Sequence, residues 1–329
     1  MADLTAVTVT YGSADTVSRT CASLARSTRD SGNIAVEHVV VTQPDDAGER
    51  ASVPSSAREI KVDENLGFAV ANNLAVEESS SEFVAFLNPD LELTEGWLDP
   101  IITALDDPAV AIAVPVLLNN HGDIDEAGQA VFSDGSSLAM GGPHWPDFPN
   151  SYASMMFDRD VDYASAACWV MRRSTFNDLG GFSTEYYPAY FEDNDFGQRA
   201  QHAGFVTRLI TARPVVHHHE GASADRRALA ERSRATFELT WAEHLRSKPH
   251  RSLLDKDAIL IRDHLCITTN IEQVTSSTIG AYAERVVADP RNRYIAIIDE
   301  NDDVPLHHLR RQHAPYGLEI RLQTPETRH

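Results

Sequence analysis

Leu4-Thr5-Ala6-Val7-Thr8-Val9-Thr10 alternates apolar residues with Thr, stops at Tyr11-Gly12-Ser13, and passes into helical spacing from Ala14 to Ser27, where Val17, Leu24 and Ala25 are apolar. A two-residue period reads as a half-buried strand, and a period near four as an amphipathic helix. The same unit recurs downstream. Glu37 to Thr42 reads as a buried strand, Arg58 to Val62 as a short one, Phe68 to Glu77 as a helix and Phe83 to Leu87 as a strand. Strands alternating with helices predict an α/β fold with a mostly parallel sheet covered on both faces. Ligands of such sheets sit at the carboxyl ends of the strands, which directs attention to the loops after Thr10, Val62 and Leu87.

From Asn119 to about Asp162 the pattern loosens into Gly, Pro, Ser and Asp around Phe132, Trp145, Phe148 and Tyr152. That is long for a connection inside one domain and suits a loop that shapes a substrate site. Order returns at Ala164 to Arg172, followed by a helix-like stretch from Phe176 to Leu179 and a Gly180-Gly181 break. A helix is predicted from Asp193 to His202, strands at Val206 to Ile210 and Val215 to His218, and a polar helix from Leu229 to Leu245. The Ser247-Lys248-Pro249 break then divides the chain into a main domain, 1–247, and a smaller C-terminal α/β unit, 248–329. In that tail Ala258 to Arg262, Tyr294 to Asp299 and Leu318 to Leu322 read as strands, and Thr278 to Ala288 as a helix.

With 329 residues and 42% hydrophobic content the chain can bury a full core. A net charge of -21 repels phosphate backbones and argues against nucleic acid as a partner. A small phosphorylated ligand would need a divalent cation between itself and so acidic a protein. No apolar run reaches the length of a membrane span, and Asp3 interrupts any signal-peptide pattern, so a cytoplasmic location is expected. Cys21, Cys168 and Cys266 lack the spacing of a zinc site or disulfide framework and read as buried thiols in a reducing compartment.

Asn88-Pro89-Asp90 follows a buried strand directly, which puts the Asp90 carboxylate where a metal-bound diphosphate would lie; taken alone the tripeptide reads better as a plain Pro-Asp turn, and the rest of the chain reverses that preference. Glu192-Asp193-Asn194-Asp195 begins a helix, where acids can simply cap the positive end, although that explains three of them less well than one. Asp193 and Asp195 sit two apart and face different ways, so that one can address a site while the other holds the loop. Attack by an acceptor hydroxyl requires a carboxylate to take its proton, and Asp193 is the candidate base. His217-His218-His219 end a strand and offer an imidazole to a divalent metal shared with Asp90; alternation makes one ligand the expected count. Asn65-Leu66-Gly67-Phe68 opens a helix whose small residues let a ligand approach its amides.

Together, Thr8-Val9-Thr10-Tyr11-Gly12-Ser13, Asn65-Leu66-Gly67-Phe68 with Asn72-Asn73, Asn88-Pro89-Asp90, Gly180-Gly181-Phe182 and Phe191-Glu192-Asp193-Asn194-Asp195 with Arg199 resemble, in order and spacing, the inverting family 2 glycosyltransferases. The likeness covers roughly Leu4 to Ser223 and is nearest to the rhamnosyltransferase-like and galactofuranosyltransferase-like members. It implies a GT-A fold, Asp90 on a Mn2+ or Mg2+ ion at the donor diphosphate, and Asp193 as base. It also implies Glu192, Asp195 and Trp169 in support of the acceptor site, and Thr10, Tyr11, Thr42, Asn65, Gly67, Phe68, Asn72, Asn88 and Asp90 at the donor. A His beyond the next strand completes the metal shell: counting forward from Arg199 lands on His217, and counting back from Gly221-Ala222-Ser223 lands on His218. His217 is preferred, because loops absorb insertions more easily than strands.

The sequence departs from the family at Thr42, where members usually carry an Asp against the donor base. A hydroxyl there both donates and accepts, so UDP- and dTDP-sugars both fit. The function implied is transfer of rhamnose, galactofuranose or a similar hexose from a nucleoside-diphosphate donor to a hydroxyl of a growing cell-surface glycan or lipid-linked glycan. Peripheral contact with the inner membrane face and self-association are further expectations. The competing readings are a divalent-metal nucleotide-sugar hydrolase or nucleotidyltransferase, and a catalytically silent sugar-binding scaffold. Trp145, Phe148, Tyr152, Trp169 and Tyr187 could stack on sugar rings or fill the core.

Overall fold

The structure is a computed structural model. It describes residues 3–12, 16–28, 34–145, 148, 155–156, 158–219 and 226–251, and beyond these only the backbone of four short strands. The strands are β1 (Leu4–Tyr11), β2 (Val36–Gln43), β3 (Arg58–Lys61), β4 (Phe83–Leu87), β5 (Leu91–Glu92), β6 (Val110–Leu118), β7 (Ile124–Glu126), β8 (Gln129–Val131), β9 (Ser137–Ala139), β10 (Arg159–Val161), β11 (Cys168–Arg172) and β12 (Val206–His217). The helices are α1 (Val17–Ser27), α2 (Gly67–Glu77), α3 (Leu98–Ala104), α4 (Arg173–Asp178), α5 (Glu192–His202), α6 (Arg226–Thr240) and α7 (Ala242–Leu245).

The main sheet runs β10-β12-β6-β11-β4-β1-β2-β3, with β5 added to β12 and β7 to β6. Pairing is parallel through β4-β1-β2-β3 and between β6 and β12. β11 enters antiparallel between β4 and β6. The sheet is therefore mixed, parallel along most of its ladder as the α/β reading expects, with β11 running against its neighbours; the periodicity of β11 marks a strand but carries no direction. Val206 to Ile210 and Val215 to His218, expected as separate strands, are one, with its register against β6 shifted between Ile210 and Val215. Pro214 falls inside that irregularity, where a missing amide costs no ladder bond.

Successive side chains leave the sheet on opposite faces. Val7, Val41, Phe86 and Trp169 pack on one side with α2 and α5, while Ala6, Ala85, Leu87 and Val170 pack on the other with Trp97, Leu98 and Ile101. Phe86, Trp169, Phe176, Phe182 and Phe196 form a continuous aromatic cluster, with Phe86 and Phe182 centroids 4.9 Å apart. Trp169 is fully buried there, its indole N–H donating to the Ala164 carbonyl at 3.0 Å. It is a core residue, which corrects its expected place beside an acceptor sugar. Trp145 is likewise buried, Tyr187 is half exposed, and Tyr152 lies outside the described residues.

Motif residues also build the frame. The Asn73 side chain brackets the Phe182 backbone with two 2.9 Å bonds, and Arg199 donates to the carbonyls of Leu179 and Gly181. Lys248 forms an ion pair with Asp162 at 3.2 Å, both side chains fully buried, and Ser133 N donates to Pro249 O at 3.0 Å. The chain thus stays stitched to the main unit past residue 247. Further on, Ala258–Ile261 pairs antiparallel with His264–Ile267, and Ile295–Asp299 pairs parallel with Glu319–Gln323. The helix expected at Thr278 to Ala288 and the side chain of Cys266 lie outside the described residues; Cys21 and Cys168 are buried free thiols. Among the described residues no helix is long and apolar enough to cross a membrane.

Candidate active site

The loop after β4 carries Asn88-Pro89-Asp90, and it is held from beneath by α1. The buried Thr20 hydroxyl accepts from Leu91 N at 3.0 Å and donates to Pro89 O at 2.8 Å, while Ser23 Oγ accepts from Leu93 N at 3.1 Å. β5 then pairs antiparallel with the end of β12, setting Leu91 opposite His217, and His218 N donates to Asp90 O at 3.0 Å. This pairing delivers the His217 side chain to Asp90, with Nε2 3.4 Å from Asp90 Oδ1. His218 faces away, its Nε2 3.2 Å from Glu92 Oε2, which removes it from the expected metal shell. His219 returns to the His217 side and meets Asp125 Oδ2 at 2.7 Å.

Asp125, on β7, also lies 3.3 Å from His217 Nδ1. Burial pushes Asp125 up, but the bonds to His217 and His219 overcome it and hold the carboxyl at about 2. Burial likewise opposes a charged His217, yet the hydrogen bonds to Asp125 and Asp90 outweigh it and lift the imidazole to about 9. Two ligands at right angles, each about 2.1 Å from a Mg2+ or Mn2+ ion, stand about 3 Å apart. The Asp90 and His217 atoms are close to that separation, and a carboxylate with an imidazole is a donor set such ions accept. Asp125, His217 and His219 also form a compact ligand cluster, with ligand atoms within 4.8 Å of one another.

A cavity of about 440 Å³ opens beside these residues, with Asn88, Asp125, His217 and His219 in its lining together with Tyr190, Phe191, Glu192 and Asp193. Tyr190 and Phe191 have φ of 76° and 71°, left-handed backbone that costs non-glycine residues of order 1–3 kcal/mol each. This turn starts α5 at the cavity wall. Asp193 Oδ1 accepts from Asn194 N at 2.7 Å and Oδ2 from Ala166 N at 3.2 Å. Burial raises the Asp193 carboxyl against these two amides. Glu192 is raised well above the usual carboxylate range by burial and by the charge of Asp193, and its Oε2 is buried without a hydrogen-bond partner. Asp195 instead turns into the fold, holding Arg199 at 2.8 Å, Trp241 Nε1 at 3.0 Å and Tyr186 OH at 3.3 Å.

The remaining expected residues divide between cavity and scaffold. Phe68 and Asn88 line the cavity. Gly67 has φ of 74°, and a Cβ on it would fall 2.6 Å from Pro188 O. Asn65 Oδ1 accepts from Gly67 N at 2.9 Å, whereas Asn72 is buried with its amide bonded to Phe68 O, a helix-internal role in place of the donor contact expected of it. Thr10 and Thr42 are buried, and Thr42 Oγ1 donates to Glu59 at 2.6 Å. Tyr11 is half exposed, its hydroxyl 3.4 Å from Asp46.

A model of glycosyl transferase family 2 matches residues 5–180, more than half of the chain. The chain belongs to glycosyl transferase family 2. The family 2 chain is 25% identical over 300 residues, 82% of its length and 94% of the other's, to the N-acetylglucosaminyl-diphospho-decaprenol L-rhamnosyltransferase of Mycobacterium tuberculosis. It is 30% identical over 187 residues, 55% of this chain and 14% of that one, to O-antigen biosynthesis protein RfbC of Myxococcus xanthus. Among solved structures, GalNAc-T7 with UDP, GalNAc and Mn2+ superposes with a TM-score of 0.57 at 13% identity over 75% of this chain and 49% of that chain. The fold is thus GT-A.

Sequence reasoning missed several residues of the transferase's cavity. Asp125 and Glu126 sit in a three-residue strand, too short for a period to show. Glu126 Oε1 accepts from Ser165 N at 2.7 Å and Oε2 from Gln129 Nε2 at 2.6 Å, and burial pushes the carboxyl up to about 7. Their signal lay in Asn119-His121-Gly122, turn residues that end β6 and send the chain back along it.

Proposed function

We propose that this family 2 chain is a divalent-metal-dependent, inverting hexosyltransferase. It moves a rhamnose-type sugar from a uridine or thymidine diphosphate donor to a hydroxyl of a lipid-linked or growing cell-surface glycan. The observation that carries the reading is the meeting of Asp193 and His217 on the walls of one cavity, with Asp90 facing His217. The mycobacterial relative, named for L-rhamnose transfer onto a diphospho-decaprenol acceptor, supports the sugar and acceptor class.

Asp90 and His217 would hold the cation, which when bound supplies positive charge against the donor diphosphate in a protein whose own charge is -21. Asp193 keeps its carboxylate aimed by Ala166 N and Asn194 N. It takes the acceptor hydroxyl proton as that oxygen bonds to the anomeric carbon and the bond to the diphosphate oxygen breaks from the opposite face, inverting the centre. Partial desolvation of Asp193 makes it a better base than a solvated Asp. Glu192 Oε2, buried and unpartnered, offers an acceptor to a sugar hydroxyl.

The test is release of nucleoside diphosphate from dTDP- and UDP-sugars with Mn2+ present, with and without a panel of lipid-linked glycans, and the anomeric configuration of the product by NMR. Release that requires acceptor and yields the inverted anomer is expected; equal release without acceptor would identify a hydrolase. Asp193→Asn should lower kcat about 10²–10⁴-fold. Unchanged turnover would remove Asp193 as the base.

A further inference from the structure

Asp125 lies at a point where two imidazoles converge on one carboxylate oxygen. His217 Nδ1 is 3.3 Å and His219 Nε2 2.7 Å from Asp125 Oδ2, and the two rings lie with centroids 4.0 Å apart, tilted 42° to each other. The opposite edge of His217, Nε2, faces Asp90 Oδ1 at 3.4 Å. His217 is therefore held between two carboxylates, each addressing a different ring nitrogen.

The consequences for the imidazole are chemical. A ring that donates its Nδ1 proton to Asp125 keeps its lone pair on Nε2, the tautomer a cation beside Asp90 requires. A carboxylate behind a ligating imidazole also raises its basicity and fixes the rotation of its plane. The supports are stiff. Asp125 is on β7, paired to β6, and His217 ends β12, paired to the same β6, so both side chains hang from neighbouring backbones. Asp125 and His217 side chains are only 12% and 10% exposed, so water competes little for their bond. His219 adopts φ of 53°, outside the ordinary range for a side-chain-bearing residue, while its ring bonds Asp125.

We infer that Asp125 is a positioning residue for the metal centre. It orients His217 and selects its tautomer, with His219 closing on the same oxygen as a latch, and it is not itself a ligand. This rests on the metal-dependent transferase reading, and the experiment separates the two. Mn2+ is titrated into the full chain in the presence of saturating UDP, and free Mn2+ is read by electron paramagnetic resonance, so that no turnover is involved. The chains compared are wild type, Asp90→Ala, Asp125→Ala, Asp125→Asn and His219→Ala, with thermal midpoints recorded in metal-free buffer.

Asp90→Ala should abolish tight Mn2+ binding. Asp125→Ala should weaken it about 10–100-fold, the range for removing a carboxylate behind a ligating His. Asp125→Asn keeps an oxygen that can accept the Nδ1 proton and should fall between Asp125→Ala and wild type; a purely steric role would leave it at wild type. His219→Ala should lose less than Asp125→Ala. Should Asp125→Ala bind Mn2+ as wild type does while Asp90→Ala does not, the inference fails and the transferase reading stands. If Asp125→Ala loses Mn2+ as completely as Asp90→Ala, Asp125 is a direct ligand and the positioning role is wrong. If Asp90→Ala also binds normally, the metal reading fails and takes the inference with it. Should Asp125→Ala not fold, the Asp125→Asn and His219→Ala chains decide by the same ordering.

Discussion

Lys248→Met tests how the C-terminal end of the described unit is fastened. The Lys248 ammonium lies 3.2 Å from Asp162 Oδ1 and 3.4 Å from Gln201 Oε1, and neither side chain of the ion pair reaches solvent. Methionine keeps the length and apolar stem while removing the charge, so little cavity forms and the loss is electrostatic. Asp162 is then left buried with one oxygen still bonded to Val131 N at 3.0 Å and the other deprived of its cation. Removing one partner of a buried pair costs about 3–5 kcal/mol, because the survivor's desolvation is no longer compensated. With no exposure there is no solvent screening to discount it. In a unit of this size 1 kcal/mol moves the thermal midpoint about 2–4 °C, so the expected fall is roughly 6–20 °C. The assay is urea denaturation with a parallel thermal melt. Asp162→Asn combined with Lys248→Met should recover part of the loss, since the amide is neutral and still accepts from Val131. A Lys248→Met chain within about 1 kcal/mol of wild type, the size of an exposed pair, would refute the reasoning.

Three further outcomes follow from the same geometry. His38 is buried with Nε2 2.9 Å from Thr8 Oγ1, and burial lowers it from 6.5 to about 4, so the folded chain keeps it neutral while the unfolded chain protonates first. Its contribution is complete above pH 6.5 and is lost as pH falls toward 4, about 3 kcal/mol in all; His38→Gln should flatten that part of the stability–pH curve measured by denaturation. Gly67→Ala places a methyl 2.6 Å from Pro188 O at a positive φ and should cost about 1–3 kcal/mol and weaken donor binding through Phe68, by denaturation and calorimetry. Asp90→Ala should leave the chain folded while UDP affinity, read by calorimetry, no longer responds to Mn2+.

The α/β alternation was legible wherever a segment was long enough to show its period. β1, β2, β4, α2 and α5 fall within a residue or two of the stretches read from Leu4 to Leu87 and around Asp193. The direction of β11 was not, because neighbours across a sheet are chosen by tertiary contacts that leave no local trace. Nor was the unity of β12, since Thr211-Ala212-Arg213-Pro214 resembles a break and only pairing with β6 carries the strand across it. The segment from Asn119 to Asp162 shows no period in sequence, yet it holds β7, β8, β9 and β10, none longer than three residues. Asp125 and Glu126 went unnoticed for that reason. Trp169 shows the converse limit: an aromatic near a site and an aromatic beneath it look alike until burial is known.

The paired left-handed residues Tyr190 and Phe191 bear on how this enzyme can be made more robust. Glycine at either position would relieve backbone strain in the folded state, so a search guided by conformational energy alone would be drawn there. Yet these two residues aim the first turn of α5, and with it Glu192 and Asp193, at the cavity. Stability gained at that corner is drawn from the ordering of the acids.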